Sequence, residues 1–344
     1  MRCRRHFLWS GMMKKTMLTL TLVAVAAVLL LAVMWIYCDK SIREIDHQAG
    51  NDRVYDRHFI LVTEDSSALW QAVYKSAAAE AARENVYLEW AGTDSLSDYS
   101  LVDCMNIAIA SQVDGIILQP DGSSEITEQI NAAMNAGIPV VTVLNDNAES
   151  DRISFVGVNS YQMGEIYGEQ VLAALQKGYN RVMVLVNTFG EDVNTNLMYS
   201  RMSDVVEQGK QSDQQVEISA YYIDSSTNFE AEEAIRKIFV NSVILPDIMI
   251  CLDPVSSECA CQAIVEYNKV GNVNIIGYYE SEVTRNAIQK GVIPAAVTID
   301  TEDIGRYSIS ALKEYLDQGY VSNYFNVDLD IINSANVRRF GTGQ

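Results

Sequence analysis

The segment from Val113 to Asp146, VDGIILQPDGSSEITEQINAAMNAGIPVVTVLND, carries the clearest fold signal in the chain. Its apolar run Gly115–Leu118 is stopped by Pro120, which is typical of a short strand buried on both faces. Apolar residues at helical spacing follow, and a second apolar run, Val140–Leu144, comes directly after Pro139. A strand, a helix and a second strand form a β-α-β unit, whose two strands are parallel. The segment therefore predicts an α/β fold.

Polar side chains follow both predicted strands at their carboxyl ends. Gln119 comes directly after the first strand, and Asn145 and Asp146 come directly after the second. Open α/β sheets bind their ligands outside the carboxyl ends of the strands. These three residues are therefore candidates for ligand binding. The alternative is that they are ordinary solvated loop residues, and both interpretations stay open at this point.

The composition excludes several classes of function. The 344 residues carry a formal net charge of −20, and a field of that sign repels nucleic acid, so no nucleic-acid partner is expected. The three histidines, His6, His47 and His58, precede the predicted folded body. That position removes the usual general base and the commonest zinc ligand. We therefore expect no catalytic residue, no metal and no cofactor.

The six cysteines do not form a disulfide framework in the sequence, which contains no C-x-x-C. Cys104 and Cys251 stand in apolar patterns and are predicted to be buried core thiols. Cys259 and Cys261 are two residues apart on a predicted helix, so they point to different faces and are not expected to pair.

An uncharged apolar segment lies near the N-terminus. Residues 16–37 carry no charge and, as a helix, are long enough to span a hydrocarbon core of about 30 Å. The bulky end of the segment, with Tyr37 directly before Cys38, favours an uncleaved anchor over a cleaved signal peptide or a lipoprotein. Basic residues precede the segment, so the N-terminus is predicted to be cytoplasmic. The expected organisation is a cytoplasmic basic segment at 1–15, a transmembrane signal anchor at 16–38, a linker at 39–55 and an extracytoplasmic folded body.

Strands and helices alternate twice along the remainder of the chain. One series starts with the apolar strand at 59–63, and a second starts with the strand at 181–186. The two halves also share a weak sequence similarity. Val113–Ile117 resembles Pro246–Ile250, and each segment has an aspartate in second place. Such alternation is typical of α/β folds with parallel sheets. We therefore predict two doubly wound lobes that face each other across a cleft.

Several motifs resemble the type I periplasmic binding protein superfamily, most of all its ribose- and galactose-type sugar-binding branch. These motifs are FILVT at 59–63, VDGIILQP at 113–120, NAGIPVVTV at 135–143, FVGVNSYQMG at 155–164, VNIIGYYES at 273–281 and AAVTID at 295–300. The resemblance implies two Rossmann-like parallel-sheet lobes joined by a three-stranded hinge. The expected lobes are 56–158 with 300–327, and 159–299 with 328–340.

The resemblance also implies positions for ligand binding. The aromatic residue that stacks on a sugar corresponds to Trp70, for which packing within the lobe is the alternative. Where the family commonly carries Asp-Arg after the fourth strand, this chain has Asn145 and Asp146. An arginine and an aspartate of the second lobe are replaced by Tyr199 and Tyr279. The complete predicted ligand-binding set is Asp65, Ser66, Trp70, Gln119, Asn145, Asp146, Tyr199, Asp253, Tyr279 and Asp300.

Two functions follow from the resemblance. The first is an extracytoplasmic solute-binding protein that closes around a small polar ligand, a sugar in most of the family, and delivers it to an ABC permease. The alternative is a membrane-anchored sensor whose closed form is recognised by a histidine kinase. An enzyme is the less favoured third interpretation, because the predicted folded body lacks histidine.

Overall fold

The structure is a computed structural model that describes residues 54–63, 66–91, 99–187, 193–223, 228–241 and 245–340. The predicted transmembrane segment at 16–38 and the candidate ligand residue Asp65 lie outside these ranges. Within the ranges, no helix is both long enough and apolar enough to cross a membrane.

Six parallel strands form the first sheet. Numbered along the chain, they are β1 (Arg57–Val62), β2 (Val86–Ala91), β3 (Gly115–Leu118), β4 (Val140–Val143), β5 (Ser154–Gly157) and β11 (Tyr324–Asn326). Their order across the sheet is β11-β5-β4-β3-β1-β2. The predicted β-α-β unit is thus confirmed, with β3 and β4 as parallel neighbours.

A second sheet repeats this arrangement. Its strands are β6 (Gly178–Asn187), β7 (Gln214–Ile223), β8 (Ile248–Cys251), β9 (Asn274–Tyr278), β10 (Ala295–Ile299) and β12 (Leu329–Asn333). Their order is β12-β10-β9-β8-β6-β7, and β12 is antiparallel to β10. The expectation of purely parallel sheets is therefore wrong for this last strand.

Helices connect the strands on both sides of each sheet. The helices of the described residues are α1 (Ala68–Arg83), α2 (Leu101–Ala110), α3 (Ser124–Asn135), α4 (Ser160–Ala174), α5 (Val193–Gly209), α6 (Asn228–Asn241), α7 (Pro254–Glu266), α8 (Glu282–Gln289) and α9 (Thr301–Gln318). A short 3-10 helix follows at Val337–Arg339.

Burial on both faces explains why the central strands are continuous apolar runs. In β3, Ile116 and Leu118 belong to one buried cluster and Ile117 to another. In β8, the residues alternate in the same way, with Ile248 and Ile250 in one cluster and Met249 and Cys251 in another. Each sheet is therefore covered by apolar side chains on both faces, as parallel sheets require.

The chain passes between the two sheets three times, after β5, after β10 and after β11. The backbone N–H of Val327 donates to the carbonyl of Gly157 at 2.9 Å, and that of Asp300 donates to the carbonyl of Asp328 at 3.2 Å. The three crossings therefore lie side by side. Since β10 leaves the second sheet and β12 returns to it, the two strands run in opposite directions.

Two predictions about single side chains have clear outcomes. Cys104 and Cys251 are buried free thiols, as predicted. The expectation that every histidine precedes the fold is wrong, because His58 lies in β1 and its Nε2 is 3.0 Å from Oε2 of Glu89. The apolar pattern starts at Phe59, but pairing with β2 begins two residues earlier, at Arg57. His58 lies near the amino end of β1, about 13 Å of strand away from its carboxyl end.

Candidate functional site

The carboxyl ends of strands from the two sheets meet at one place in the structure. Tyr279 follows β9 of the second sheet, and its phenol O–H donates to the carbonyl of Ala68 at 3.3 Å. Ala68 begins α1, which follows β1 of the first sheet. The loops after β1 and β9 therefore face each other, and the predicted ligand residues lie on loops of this kind.

Asp146, a predicted ligand residue, is held within the first lobe. Its carboxylate pairs with the guanidinium of Arg152, and the two side chains are 7% and 15% exposed. The hydroxyl of Thr142 donates to Oδ1 of the same carboxylate at 2.8 Å. Three donor groups of the protein therefore already engage this acid, which leaves little of its hydrogen-bonding capacity for a ligand.

Asn145 and Gln119 occupy neighbouring loops of the first lobe, after β4 and β3. Nδ2 of Asn145 donates to the carbonyl of Pro120 at 3.3 Å, and the backbone N–H of Gln119 donates to the carbonyl of Val62 at 2.9 Å. Both side chains are partly exposed. The structure thus places Gln119 and Asn145 on the neighbouring loops that follow β3 and β4, and their role in ligand binding stays a prediction.

On the second lobe, Asp253 and Tyr199 both make bonds within the lobe. Asp253 precedes α7 and accepts hydrogen bonds from the backbone N–H and the hydroxyl of Ser256, each at 2.7 Å. This is a helix cap, which satisfies a free amide of the first turn. The hydroxyl of Tyr199 donates to the carbonyl of Ile218 at 2.9 Å, and burial raises the pKa of that phenol.

Three further candidates lie close to the hinge or to α1. Asp300 caps α9 by accepting hydrogen bonds from the backbone N–H groups of Glu302 at 2.9 Å and Asp303 at 3.0 Å. Ser66 is exposed, and its carbonyl accepts a hydrogen bond from the side chain of Gln71 at 3.0 Å. Trp70 is only 1% exposed. That burial fits the packing alternative for Trp70, and its stacking role stays a prediction.

Tyr279 is the candidate that reaches the opposite lobe. It is 6% exposed and belongs to the same buried cluster as Trp70. Burial raises the pKa of Tyr279 to about 12, with a contribution from Glu280 that Arg285 partly opposes. The phenol is therefore protonated at neutral pH and acts as a hydrogen-bond donor.

Glu280 is a strand-end acid that the sequence prediction left out of the ligand set. Burial raises its pKa, Thr298 and Arg285 lower it, and the carboxylates of Asp300 and Asp330 raise it. The sequence signal that could have included it is its place as an acid directly after Gly277-Tyr278-Tyr279, where β9 ends. Among the described residues, no group of three histidine, cysteine, aspartate or glutamate side chains is arranged to hold a metal ion.

Two doubly wound lobes linked by three adjacent crossings define a two-lobed binding protein. The family model for the periplasmic binding protein domain matches residues 58–320, and the chain belongs to this family. The match confirms the resemblance seen in the sequence.

Solved structures share this fold at low sequence identity. GanP, a glucose-galactose binding protein from Geobacillus stearothermophilus, is 24% identical with a TM-score of 0.71 and covers 81% of this chain and 98% of its own. XylFII in the XylFII-LytSN complex is 20% identical with a TM-score of 0.67 and covers 82% and 99%. An ABC transporter solute-binding protein from Agrobacterium vitis, bound with alpha-D-tagatopyranose, is 16% identical with a TM-score of 0.71 and covers 83% and 99%. A search of curated proteins gives no match.

Proposed function

We propose that the chain is an extracytoplasmic solute-binding protein that closes its two lobes around a small sugar for import by an ABC permease. The observation that carries the proposal is the meeting of strand carboxyl ends from both lobes at Tyr279 and Ala68. A ligand between such loops contacts both lobes at once, and it favours closure through contacts that are better made in the closed form. We do not propose an enzymatic activity for this chain.

The ten ligand-binding residues predicted from the sequence remain a proposal, and they differ in how well they fit it. Gln119 and Asn145 fit best, because they are partly exposed amides at adjacent strand ends, and amides pair with sugar hydroxyls. Asp146 and Asp253 already accept hydrogen bonds from their own lobes. Tyr279 is buried and already donates to the carbonyl of Ala68.

A thermal-shift screen of the full chain against sugars tests this function. A ligand at about 100 times its dissociation constant adds roughly 3 kcal/mol to the free energy of unfolding, so a binding sugar raises the melting temperature. Amino acids of similar size serve as the control set. Stabilisation by an amino acid and by no sugar would contradict the proposed ligand class.

A second candidate function is a membrane-anchored ligand sensor that signals to a histidine kinase. It is favoured by the likeness to XylFII, which forms a complex with a second protein, LytSN. The two functions differ in the partner. Affinity capture from detergent-solubilised membranes, with and without the sugar, is expected to recover an ABC permease if the chain serves import. Sugar-dependent recovery of a kinase instead would support the sensor.

Membrane anchorage and the lobe boundaries belong to the same proposal. We propose that residues 16–38 remain as a single-pass anchor with the N-terminus in the cytoplasm. Intact mass of the membrane-extracted protein checks this, and a mature chain that begins at or after Cys38 would exclude it.

The lobes are proposed at 56–158 with 300–327, and at 159–299 with 328–340, a division that the strand membership of the two sheets supports.

A further inference from the structure

The outer strand of the second sheet is long, and among the described residues no strand pairs with its outer side. β7 pairs with β6 over ten residues, from Gln214 to Ile223, and stands last in the order of the sheet. The strand at the corresponding edge of the first sheet, β2, has six residues. An unpaired edge presents a row of backbone N–H and C=O groups to any strand that approaches it. β7 is therefore the larger of these two edges.

The backbone hydrogen bonds show which groups of β7 point outward. The residues of a strand face its two sides in alternation, and the carbonyl of Asp213 accepts from the N–H of Gly178 in β6 at 2.9 Å. Every second residue from Asp213 therefore faces β6. The carbonyl of Ile218 points the other way, and it accepts from the hydroxyl of Tyr199 in α5 at 2.9 Å. A carbonyl has a second lone pair, so this one can also accept from a strand. The outward residues are Gln214, Val216, Ile218, Ala220 and Tyr222.

β7 lacks the features that usually keep strand edges apart. Natural edge strands are commonly protected by lysine, proline or a bulge. The sequence of β7, QQVEISAYYI, contains no proline, lysine or arginine, and its register with β6 is unbroken. Glu217 is its single charged residue. Tyr221 and Tyr222 near its carboxyl end are 38% and 50% exposed. Such an edge favours pairing with a strand of the same character.

Two copies of β7 complement each other when they run antiparallel about a twofold axis at Ser219. In this register the outward residues of one copy face the outward residues of the other. A β-branched side chain then lies opposite an aromatic one, which is a favourable cross-strand pair, and the single carboxylate lies opposite a phenol rather than another carboxylate. The cross-strand pairs are Val216 with Tyr222, Glu217 with Tyr221, Ile218 with Ala220, and Ser219 with its own copy.

We propose that β7 is a homodimer interface, at which two copies of this chain join their second sheets into one continuous sheet. The net charge of −20 opposes the association of two copies. At physiological salt, however, the field of an exposed charge is screened within about 8 Å, and each strand brings only one carboxylate to the contact. The pairing needs no ligand, so it is independent of the proposed sugar binding.

A cysteine at Ser219 tests the dimer and its register together. Residues opposite each other in a non-hydrogen-bonded antiparallel pair have Cα atoms about 4.5 Å apart, which a disulfide can bridge. We expect full-length Ser219→Cys in detergent to form a disulfide-linked dimer under mild oxidation, measured by non-reducing gel electrophoresis. The wild type gives the background from the native cysteines.

Ser212→Cys provides the matched control. Ser212 is exposed in the turn before β7, seven residues from the proposed axis, so its two copies lie about 46 Å apart in the dimer. It is expected to form no more linked dimer than the wild type. Equal crosslinking of Ser219→Cys and Ser212→Cys would overturn the proposed register.

Ala220→Pro tests the backbone pairing without a new thiol. The N–H of Ala220 points away from β6, so proline removes a donor to the second copy and leaves the hydrogen bonds to β6. The twofold axis doubles this loss, and the dissociation constant of the dimer is expected to rise about 5- to 150-fold in sedimentation of the full chain. Ala220→Val keeps the N–H and is expected to dimerise like the wild type, and matching melting temperatures of the two variants show an intact fold.

Two results of the sedimentation experiment would overturn the dimer. One is a wild type that stays monomeric at every concentration, and the other is an equal dissociation constant for Ala220→Pro and Ala220→Val. If Ala220→Pro melts earlier than Ala220→Val, the crosslinking of Ser219→Cys decides alone. A wild type that dimerises but binds no sugar would keep the interface and contradict only the proposed function.

Discussion

Asp114 and Asp247 hold equivalent positions in the two sheets. The carboxylate of Asp114 accepts a hydrogen bond from the backbone N–H of His58 at 2.7 Å, and that of Asp247 accepts one from the backbone N–H of Arg181 at 2.7 Å. Each aspartate directly precedes an inner strand, β3 or β8, and accepts from the neighbouring strand, β1 or β6, one residue before the pairing of the two strands begins. The weak sequence similarity between the two halves therefore reflects a shared structural role, in which an aspartate accepts a backbone hydrogen bond from the neighbouring strand.

The two aspartates are expected to differ in their effect on stability. Asp247 is half-buried, and a hydrogen bond to a charged group contributes about 1.5 to 3 kcal/mol, so Asp247→Ala should lower the free energy of unfolding by about that amount. Asp114 is exposed, and Asp114→Ala is expected to cost about 1 kcal/mol or less. Urea unfolding of both variants measures the difference.

Asparagine at each position provides the matched control, because it keeps one acceptor oxygen without the charge. Both asparagine variants are expected to lose less stability than the corresponding alanine variants. Equal losses for Asp114→Ala and Asp247→Ala would show that burial does not set the strength of these bonds.

Much of the fold could be predicted because its signal is local. Continuous apolar runs such as 115–118 and 248–251 become strands that are buried on both faces, and the alternation of strands and helices fixes the α/β class. The helix at 301–318 was missed, although Asp300 caps its start and Gly319, with a φ of 82°, ends it. Both cap signals stand in the sequence. The antiparallel direction of β12 depends on which sheet the chain re-enters, and no local pattern specifies that.

The site was less predictable, because several of its side chains form hydrogen bonds or ion pairs with partners that the local sequence does not identify. The sequence placed Asp146 correctly at a strand end, but not against Arg152. It named Tyr279 as a candidate but could not show that the phenol crosses to Ala68, since that depends on how the two lobes meet. Local sequence identifies polar groups near the sheet edge, and packing decides which of them already have partners.

The pair of Asp146 and Arg152 is expected to matter for stability. Removing one partner of a buried ion pair leaves an uncompensated charge, which typically costs about 3 to 5 kcal/mol. Asp146→Ala should therefore lower the free energy of unfolding by about that amount and weaken sugar binding only slightly, because the protein already engages most of this carboxylate. Chemical unfolding and calorimetric titration of the same variant give both values.

The adjacent, exposed Asp151 supplies the control, and Asp151→Ala is expected to unfold like the wild type. A double-mutant cycle with Arg152→Ala isolates the pair, because the double variant should lose less than the sum of the single losses. A large loss of affinity with little loss of stability would instead make Asp146 a ligand contact.

Glu280 is expected to give the protein a pH-dependent stability. Its pKa is raised in the folded state, mainly by burial, so the folded state holds this proton more tightly than the unfolded state. The contribution of Glu280 to stability is therefore present below the ordinary pKa of a glutamate and is lost as the pH rises through the raised value. Glu280→Gln removes this titration, so the variant should gain stability relative to the wild type as the pH rises through that window.

Unfolding free energies measured from pH 4 to 8 test this expectation. Glu282→Gln is the control, since it removes one negative charge from an exposed position two residues away. Two outcomes would contradict a specific role for the half-buried carboxylate of Glu280. One is a difference between Glu280→Gln and the wild type that is constant with pH, and the other is the same pH-dependent difference in Glu282→Gln.

Variants of Trp70 distinguish most directly between a side chain that only packs within the lobe and one that contacts the ligand. At 1% exposure, its indole lies in the buried cluster of the first lobe, and loss of such a side chain typically costs about 3 to 5 kcal/mol. We expect Trp70→Ala to lower the free energy of unfolding by about this amount.

Trp70→Phe keeps an aromatic ring and much of the volume, so it should be better tolerated and remain folded for titration with the sugar. Trp90→Ala is the control, because Trp90 is only partly buried on β2, where its Nε1 donates to the hydroxyl of Thr63 at 2.9 Å. If Trp70 only packs, Trp70→Phe binds the sugar like the wild type while its stability falls. If the indole stacks on the sugar, removing it costs about 1 to 3 kcal/mol of binding, and Trp70→Phe, which keeps a smaller ring, weakens binding by less than that. The opened cleft must then expose a ring that this structure buries.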